Sequence, residues 1–172
     1  VLLKTLTTVA SVALPIEERW SVKRCRYAPD GSSVGRVCIA AGTHGDEMMG
    51  QLIIYLVQQR ISEHPDALRG TVDFYPMLNP LGLDIGERLV PSGTRLDMNR
   101  AFPGSPNGTP IENICHQGIQ VTRGADLVLD LHASARNKSE LYEVRVSAKE
   151  SERLLPRVRA LCPQLIWVYP DK

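Results

Sequence analysis

The sequence predicts an α/β fold, a mainly parallel or mixed twisted sheet flanked by helices. Three observations carry that expectation. Short apolar runs at 37–41 and 127–131 alternate with segments of helical periodicity. The first of these runs is continuously apolar, the pattern of a strand covered on both faces. Strand–helix–strand order implies right-handed crossovers and parallel neighbours in the sheet.

The elements follow in chain order. Residues 1–14 are apolar but broken by Thr and Ser, and they lack a charged leading region and a cleavage site. They read as an N-terminal strand. Residues 18–27 read as an exposed strand, and Pro29-Asp30-Gly31 as a turn. Strand 34–41 leads into the polar bend Gly42-Thr43-His44-Gly45-Asp46-Glu47. A helix at about 47–62 carries Met49, Leu52, Ile53, Leu56 and Val57 at helical spacing. Strand 71–78 precedes a long irregular stretch, 79–110, of the kind that in a compact domain is either functional or disordered. Helix 111–123, strand 125–131, a helix opened by a capping-box pattern at Ser147 and Glu150, and strand 165–169 complete the chain. It stops at Lys172 without a closing helix. The expectation is one catalytic-type domain, 1–172, comprising an N-terminal and central part and incomplete at its C-terminal end.

Composition excludes several classes. The 172 residues carry 20 basic and 19 acidic side chains, a formal net charge of +1, which favours neither a nucleic-acid nor an anionic-membrane partner. The one local basic group, Arg153, Arg157 and Arg159, has the spacing of a solvated helix face. No apolar run spans a bilayer. Cys25, Cys38, Cys115 and Cys162 are widely spaced and read as small buried hydrophobes in a reducing cytoplasm.

Two histidines follow the apolar strands directly, His44 and His132. Ligands collect at the carboxyl ends of parallel strands, so both are expected at one sheet edge. Glu47, three residues after His44, lies where a carboxylate converges on the same ion. Two His and one Glu form a catalytic zinc set with a position left open. Spacing alone leaves this reading level with a pair of hydrogen-bonded surface histidines. His64 and His116 fall in or after helical patterns and are expected to be exposed. The irregular stretch adds Arg88, Arg95, Asp97, Asn99 and Arg100, and guanidinium groups are suited to gripping carboxylates.

Four ordered motifs then become specific. They are Gly42-Thr-His44-Gly-Asp-Glu47, Asn79-Pro80 with Gly86-Glu-Arg88, Asp97-Met-Asn99-Arg100-Ala-Phe-Pro-Gly104, and Asp130-Leu-His132. Together they resemble the zinc carboxypeptidase superfamily, and within it the succinylglutamate desuccinylase and aspartoacylase branch. Residues 140–146 are a looser match to the strand that follows.

The resemblance implies one zinc ion on His44, Glu47 and His132. It implies Asn99 and Arg100 holding a substrate carboxylate, and Arg88, rather than Arg95, at the developing oxyanion. Asp97 would orient the His44 imidazole. The implied activity is hydrolysis of an amide in N-acyl amino acids or similar small carboxylates. Two alternatives are a carboxypeptidase acting on peptides and a domain that binds metal or ligand without catalysis. Family members use a glutamate as general base, well beyond the third ligand. Glu140, Glu143, Glu150 and Glu152 do not sit in that context, so the base is expected to be absent from this chain. The acyl group and the oligomeric state are not legible.

Overall fold

A computed structural model describes residues 1–91, 96–134 and 139–170, with the backbone alone at Ile16. The elements are β1 (Leu2–Ala13), β2 (Arg19–Pro29), β3 (Arg36–Ala41), α1 (Met49–Glu63), β4 (Thr71–Tyr75), α2 (Pro80–Ile85), α3 (Met98–Ala101), α4 (Pro110–Thr122), β5 (Leu127–Leu131), β6 (Glu143–Ser147), α5 (Ala148–Ala160) and β7 (Leu165–Tyr169). The chain divides into two compact units, Val1–Arg136 and Asn137–Lys172.

In the first unit five strands form a mixed sheet in the order β1-β2-β4-β3-β5. β3 pairs parallel with both β4 and β5, whereas β1–β2 and β2–β4 are antiparallel. The continuous apolar run of β3 is thus explained by its interior place between β4 and β5, with Cys38 and Ala41 fully buried. The strand expected to be exposed, β2, is interior instead. β1 covers its outer edge, and Trp20, Val22 and Tyr27 go into the core. Conversely β5, expected to be buried, is a border strand with Val128 exposed.

Two apolar clusters lie on opposite faces of this sheet. One joins Trp20, Cys38, Tyr75 and Met98 to Ile111, Ile114 and Cys115 of α4. The other joins Tyr27, Phe74 and Ala41 to Ile54 of α1. Helix α1 departs from the sequence expectation. It buries Gly50 and Ile54, while Met49, Leu52, Ile53 and Leu56 are exposed. Gly50 is the reason. A side chain there would meet Cβ of Ala41 at 2.8 Å and of Leu131 at 3.2 Å, so the missing Cβ lets the helix seat on its narrow side.

At the polar end of the sheet, Asp73 of β4 is fully buried and accepts two hydrogen bonds from Arg26 (2.6 and 2.8 Å) and one from Arg36 (2.8 Å). Burial raises its pKa, but these charged donors lower it more, leaving it below the ordinary carboxylate value.

The stretch expected to be irregular holds two short helices. Asn79 caps α2, its Oδ1 accepting from the Gly82 N–H, with Pro80 in the first turn, and Gly86 closes the helix at φ 65°. Asp97 caps α3 in the same way. A full capping box does form, at Thr109 and Glu112 of α4. The box expected at Ser147 does not. Ser147 precedes α5, but its side chain makes no cap bond, and Glu150 pairs with Arg153.

In the second unit β6 and β7 form their own parallel pair, joined through α5. Arg153, Arg157 and Arg159 are exposed on α5, as expected. All four cysteines are free. Three are buried, and Cys162, contrary to expectation, is exposed. His64 is exposed as expected and His116 is half-buried. No helix among the described residues is long and apolar enough to cross a membrane.

Candidate metal centre

β3 and β5 run parallel with Ala41 opposite Leu131, so the chain leaves both strands at the same sheet edge. Gly42 turns the first exit at φ 71°. His44 and Glu47 follow at 1% and 3% exposure, and His132 follows β5 directly. Gly45, between the first two, lies hard against α2. A Cβ there would come within 2.1 Å of the Gly82 carbonyl carbon and 2.4 Å of the Glu87 oxygen, so only glycine fits.

His44, Glu47 and His132 converge, with one ligand atom from each within 4.8 Å of the others. His44 Nδ1 is 2.8 Å from Glu47 Oε1, and His132 Nδ1 is 2.9 Å from Glu47 Oε2. The two Nδ1 atoms are 3.2 Å apart. Each imidazole is held from its far side by a carboxylate. Asp97 Oδ1 is 3.0 Å from His44 Nε2, and Asp130 Oδ2 is 2.9 Å from His132 Nε2. An Nε2–H bonded to a carboxylate leaves Nδ1 as a lone pair, and both lone pairs then point at one place.

This donor set fits a zinc ion. Bonds of about 2.0–2.2 Å in a tetrahedral site set ligand atoms roughly 3.4 Å apart, close to the spacing seen here. Two neutral imidazole nitrogens and a carboxylate are the donors zinc takes. At 3.2 Å the facing Nδ1 atoms have room for one proton between them at most, and a shared cation resolves that conflict.

The electrostatics follow from the same contacts. Burial raises the Glu47 pKa, but bonds to His132, His44 and the Ala133 N–H (3.0 Å) outweigh it and hold the carboxyl well below its usual range. Burial lowers the pKa of His132, and bonds to Asp130 and Glu47 raise it more, to about 10 in the metal-free protein. Asp97 is lowered by His44 and the Asn99 N–H against the opposing effect of burial.

The remaining residues singled out in the sequence fall as follows. Arg88, just past α2, donates from Nη1 to Glu47 Oε1 at 2.7 Å, with Nη2 4.0 Å from Asp97 Oδ2. Its guanidinium is half-exposed and reaches the cluster. Asn99 and Arg100 ride on α3 directly after Asp97. Asn99 is half-buried, Arg100 is exposed, and neither side chain bonds to the cluster among the described residues. Arg95 lies outside the described residues.

Sequence reasoning missed Asp130 as the partner of His132, although the motif contains it. Its signal was there: in a strand, residues two apart share a face, so an Asp two before a His stands beside it. Thr43 is a second omission. It is fully buried, and its hydroxyl donates to Asp130 Oδ1 at 3.2 Å.

Comparison with known proteins gives consistent matches. The profile of the succinylglutamate desuccinylase/aspartoacylase catalytic domain matches residues 33–168. An N-alpha-acetyl-L-2,4-diaminobutyric acid deacetylase from Halomonas elongata is 32% identical over 99 residues, covering 57% of this chain and 28% of that protein. A succinylglutamate desuccinylase/aspartoacylase from Rhodobacter sphaeroides superposes with a TM-score of 0.78 at 22% identity, over 97% of this chain and 51% of the other. An aspartoacylase family protein from Mesorhizobium loti gives 0.77 at 21%, over 97% and 52%. A metallo-carboxypeptidase from Burkholderia cenocepacia gives 0.67 at 16%, over 98% and 49%. These structural likenesses establish the fold, and the chain spans about half the length of those solved relatives.

Proposed function

Because this chain belongs to the succinylglutamate desuccinylase/aspartoacylase family, we propose that it carries the zinc site of a deacylase, which hydrolyses the amide bond of N-acyl amino acids or similar small carboxylates. One observation carries the reading: the His44, Glu47 and His132 donors converge while Asp97 and Asp130 hold the far ring nitrogens. Bound there, zinc supplies Lewis-acid polarisation of the amide carbonyl and lowers the pKa of water to about 7.

The protein's own groups do the rest. Asp97 and Asp130 fix the imidazole tautomers and keep both rings basic. Arg88 offers a guanidinium to the oxygen on which negative charge develops, moving off Glu47 to do so. Asn99 and Arg100 take the substrate carboxylate, which suits Arg100's exposed guanidinium. No general base is assigned among the described residues. Glu143 pairs with Arg145 and Glu150 with Arg153, so neither is poised to accept a proton from water. On this reading the substrate is a small molecule rather than a nucleic acid or a membrane, and a cytoplasmic location is in keeping with the four free cysteines.

Elemental analysis is the test. About one zinc per chain is expected, lost in a Glu47→Ala, His132→Ala double variant. Absence of metal from both proteins refutes the zinc reading. The likeness to a metallo-carboxypeptidase fold keeps a second reading, a peptidase. Faster cleavage of short peptides than of N-acyl amino acids would favour it. Zinc binding with no hydrolysis of either substrate, even when the chain is extended to family length, would leave a non-catalytic metal-binding domain.

A further inference from the structure

Each carboxylate behind a ligand histidine has a second anchor, and the two anchors differ in origin. Asp97 Oδ1 accepts from the Asn99 N–H at 2.9 Å as the cap of its own helix α3, so its direction is set locally. Asp130 accepts from no main-chain N–H among the described residues. Its bond to His132 Nε2 by itself leaves the carboxylate several rotamers. The second anchor comes from the loop after β3. Thr43 Oγ1 is 3.2 Å from Asp130 Oδ1 and 3.5 Å from Oδ2, and among the described residues the hydroxyl bonds to no other group.

The surroundings of Thr43 aim that hydroxyl. The side chain is fully buried. Gly42 ahead of it turns at φ 71°, and the Gly42 carbonyl accepts from the Asn79 N–H at 2.8 Å, which ties the backbone at this turn to the residues after β4. The branched Cβ restricts χ1, so the hydroxyl has few directions to take. Loop and strand are laced in both directions. Thr43 donates to Asp130, and the Ala133 N–H donates to Glu47 Oε2 at 3.0 Å, so His132 is bracketed by bonds to the loop that carries the other two ligands. The Ala133 bond ends on a ligand carboxylate. The Thr43–Asp130 bond instead reaches His132 at Nε2, the nitrogen turned away from the cluster, and so uses no ligand atom.

We propose that Thr43 is a positioning residue of the metal centre: through Asp130 it holds the His132 imidazole in place relative to His44 and Glu47, so that the three donors are preorganised for the ion. The inference rests on the zinc reading above. A buried hydroxyl needs an acceptor, and any carbonyl would serve. This one takes the carboxylate that orients a ligand, and it does so from the residue next to another ligand, His44. Thr43→Val separates the two roles. Valine keeps the branched shape and brings no polar atom, and Asp130 keeps its bond to His132. What is lost is one charge-assisted hydrogen bond that fixes the carboxylate. The effect therefore falls on the order of the ligands rather than on folding.

Zinc competition with a chromogenic chelator and proton NMR of the zinc-loaded protein test the proposal. Thr43→Val should raise the zinc Kd about tenfold, the low end for groups that act behind a metal ligand, while the unfolding midpoint of the metal-free protein matches the parent's. Thr43→Ser keeps the hydroxyl with a freer χ1 and should return the Kd to within about threefold of the parent's. On an Asp130→Ala background, Thr43→Val should add no further loss, because the carboxylate it holds is already gone. In the spectrum of Thr43→Val, the His132 Nε2–H resonance should move upfield and exchange faster with water. The His44 Nε2–H resonance, held by Asp97, should stay where it is and serves as the internal control. A Thr43→Val protein with the parent's zinc affinity overturns the proposal. So does an equal loss with and without Asp130, or a serine variant no better than valine, either of which makes the residue one of packing alone. A shift of both histidine resonances together does the same. A parent that binds no zinc overturns the zinc reading itself, and the inference with it, a result distinct from all of these.

Discussion

Replacing Gly45 by alanine adds one methyl group and tests whether the metal loop and α2 are locked together. The new Cβ would stand 2.1 Å from the Gly82 carbonyl carbon and 2.4 Å from two backbone oxygens. All three are main-chain atoms, so no rotamer change relieves the contact. Ordinary van der Waals contact at about 3.4 Å requires the loop and α2 to part by about 1.3 Å. Arg88 follows α2, and its 2.7 Å bond to Glu47 stretches to about 4 Å, beyond hydrogen-bond range. Overpacking of this kind costs about 1–3 kcal/mol. Functional constellations tolerate displacement of about 0.5 Å, so His44 and Glu47 also leave their common focus. We expect zinc affinity to fall by at least about tenfold, measured by competition with a chromogenic chelator, and the unfolding midpoint to drop by several degrees. Affinity and midpoint both equal to the parent's would refute the reasoning. Gly31→Ala is the control for a loop glycine with open space around it.

Three further outcomes are expected. Asp130→Ala removes the carboxylate behind His132, and zinc titration should show affinity lower by about 10–100-fold, with stability reduced by about 1–3 kcal/mol because the buried Thr43 hydroxyl loses its acceptor. Asp73→Asn leaves the guanidinium groups of Arg24, Arg26 and Arg36 without their buried counter-charge and should cost about 3 kcal/mol in urea unfolding at pH 7. The folded pKa of Asp73 is depressed, so its stabilisation is present above the unfolded value of about 3.9 and is lost as pH falls through the folded one. The gap between parent and variant should therefore narrow below pH ~4. Gly118→Ala places a Cβ inside α4, where the nearest atom is a Phe102 ring carbon at 4.0 Å, and should raise stability by about 0.5–1 kcal/mol in the same assay.

The convergence of His44, Glu47 and His132 was legible because each histidine follows an apolar run, and parallel strands deliver their ends to one edge. Residues whose place depends on a neighbouring element were not. The periodicity of α1 located the helix but inverted its face, since Gly50 decides which side seats and carries no hydrophobic signal of its own. α2 and α3 are too short for periodicity to register and rest on caps at Asn79 and Asp97. β2 looked like an exposed strand because nothing local announces that β1 will cover it. Arg88 was expected at a substrate oxygen and is found on Glu47. A free guanidinium takes the nearest carboxylate, and no sequence pattern records which one that will be.

The parallel pairing of β3 and β5 also bears on how fast a metal would leave. His44 and Glu47 hang from the interior strand β3 and His132 from the border strand β5, and five residue pairs hold the two strands together. Border strands open at lower free energy than interior ones. Loss of the ion would then begin with fraying of β5 from its carboxyl end, carrying His132 away while the other two ligands stay in place. A bound ion rivets that seam, so the amide protons of β5 should exchange more slowly in the metal-loaded protein, and the dissociation rate should track the opening of a strand rather than the breaking of a single bond.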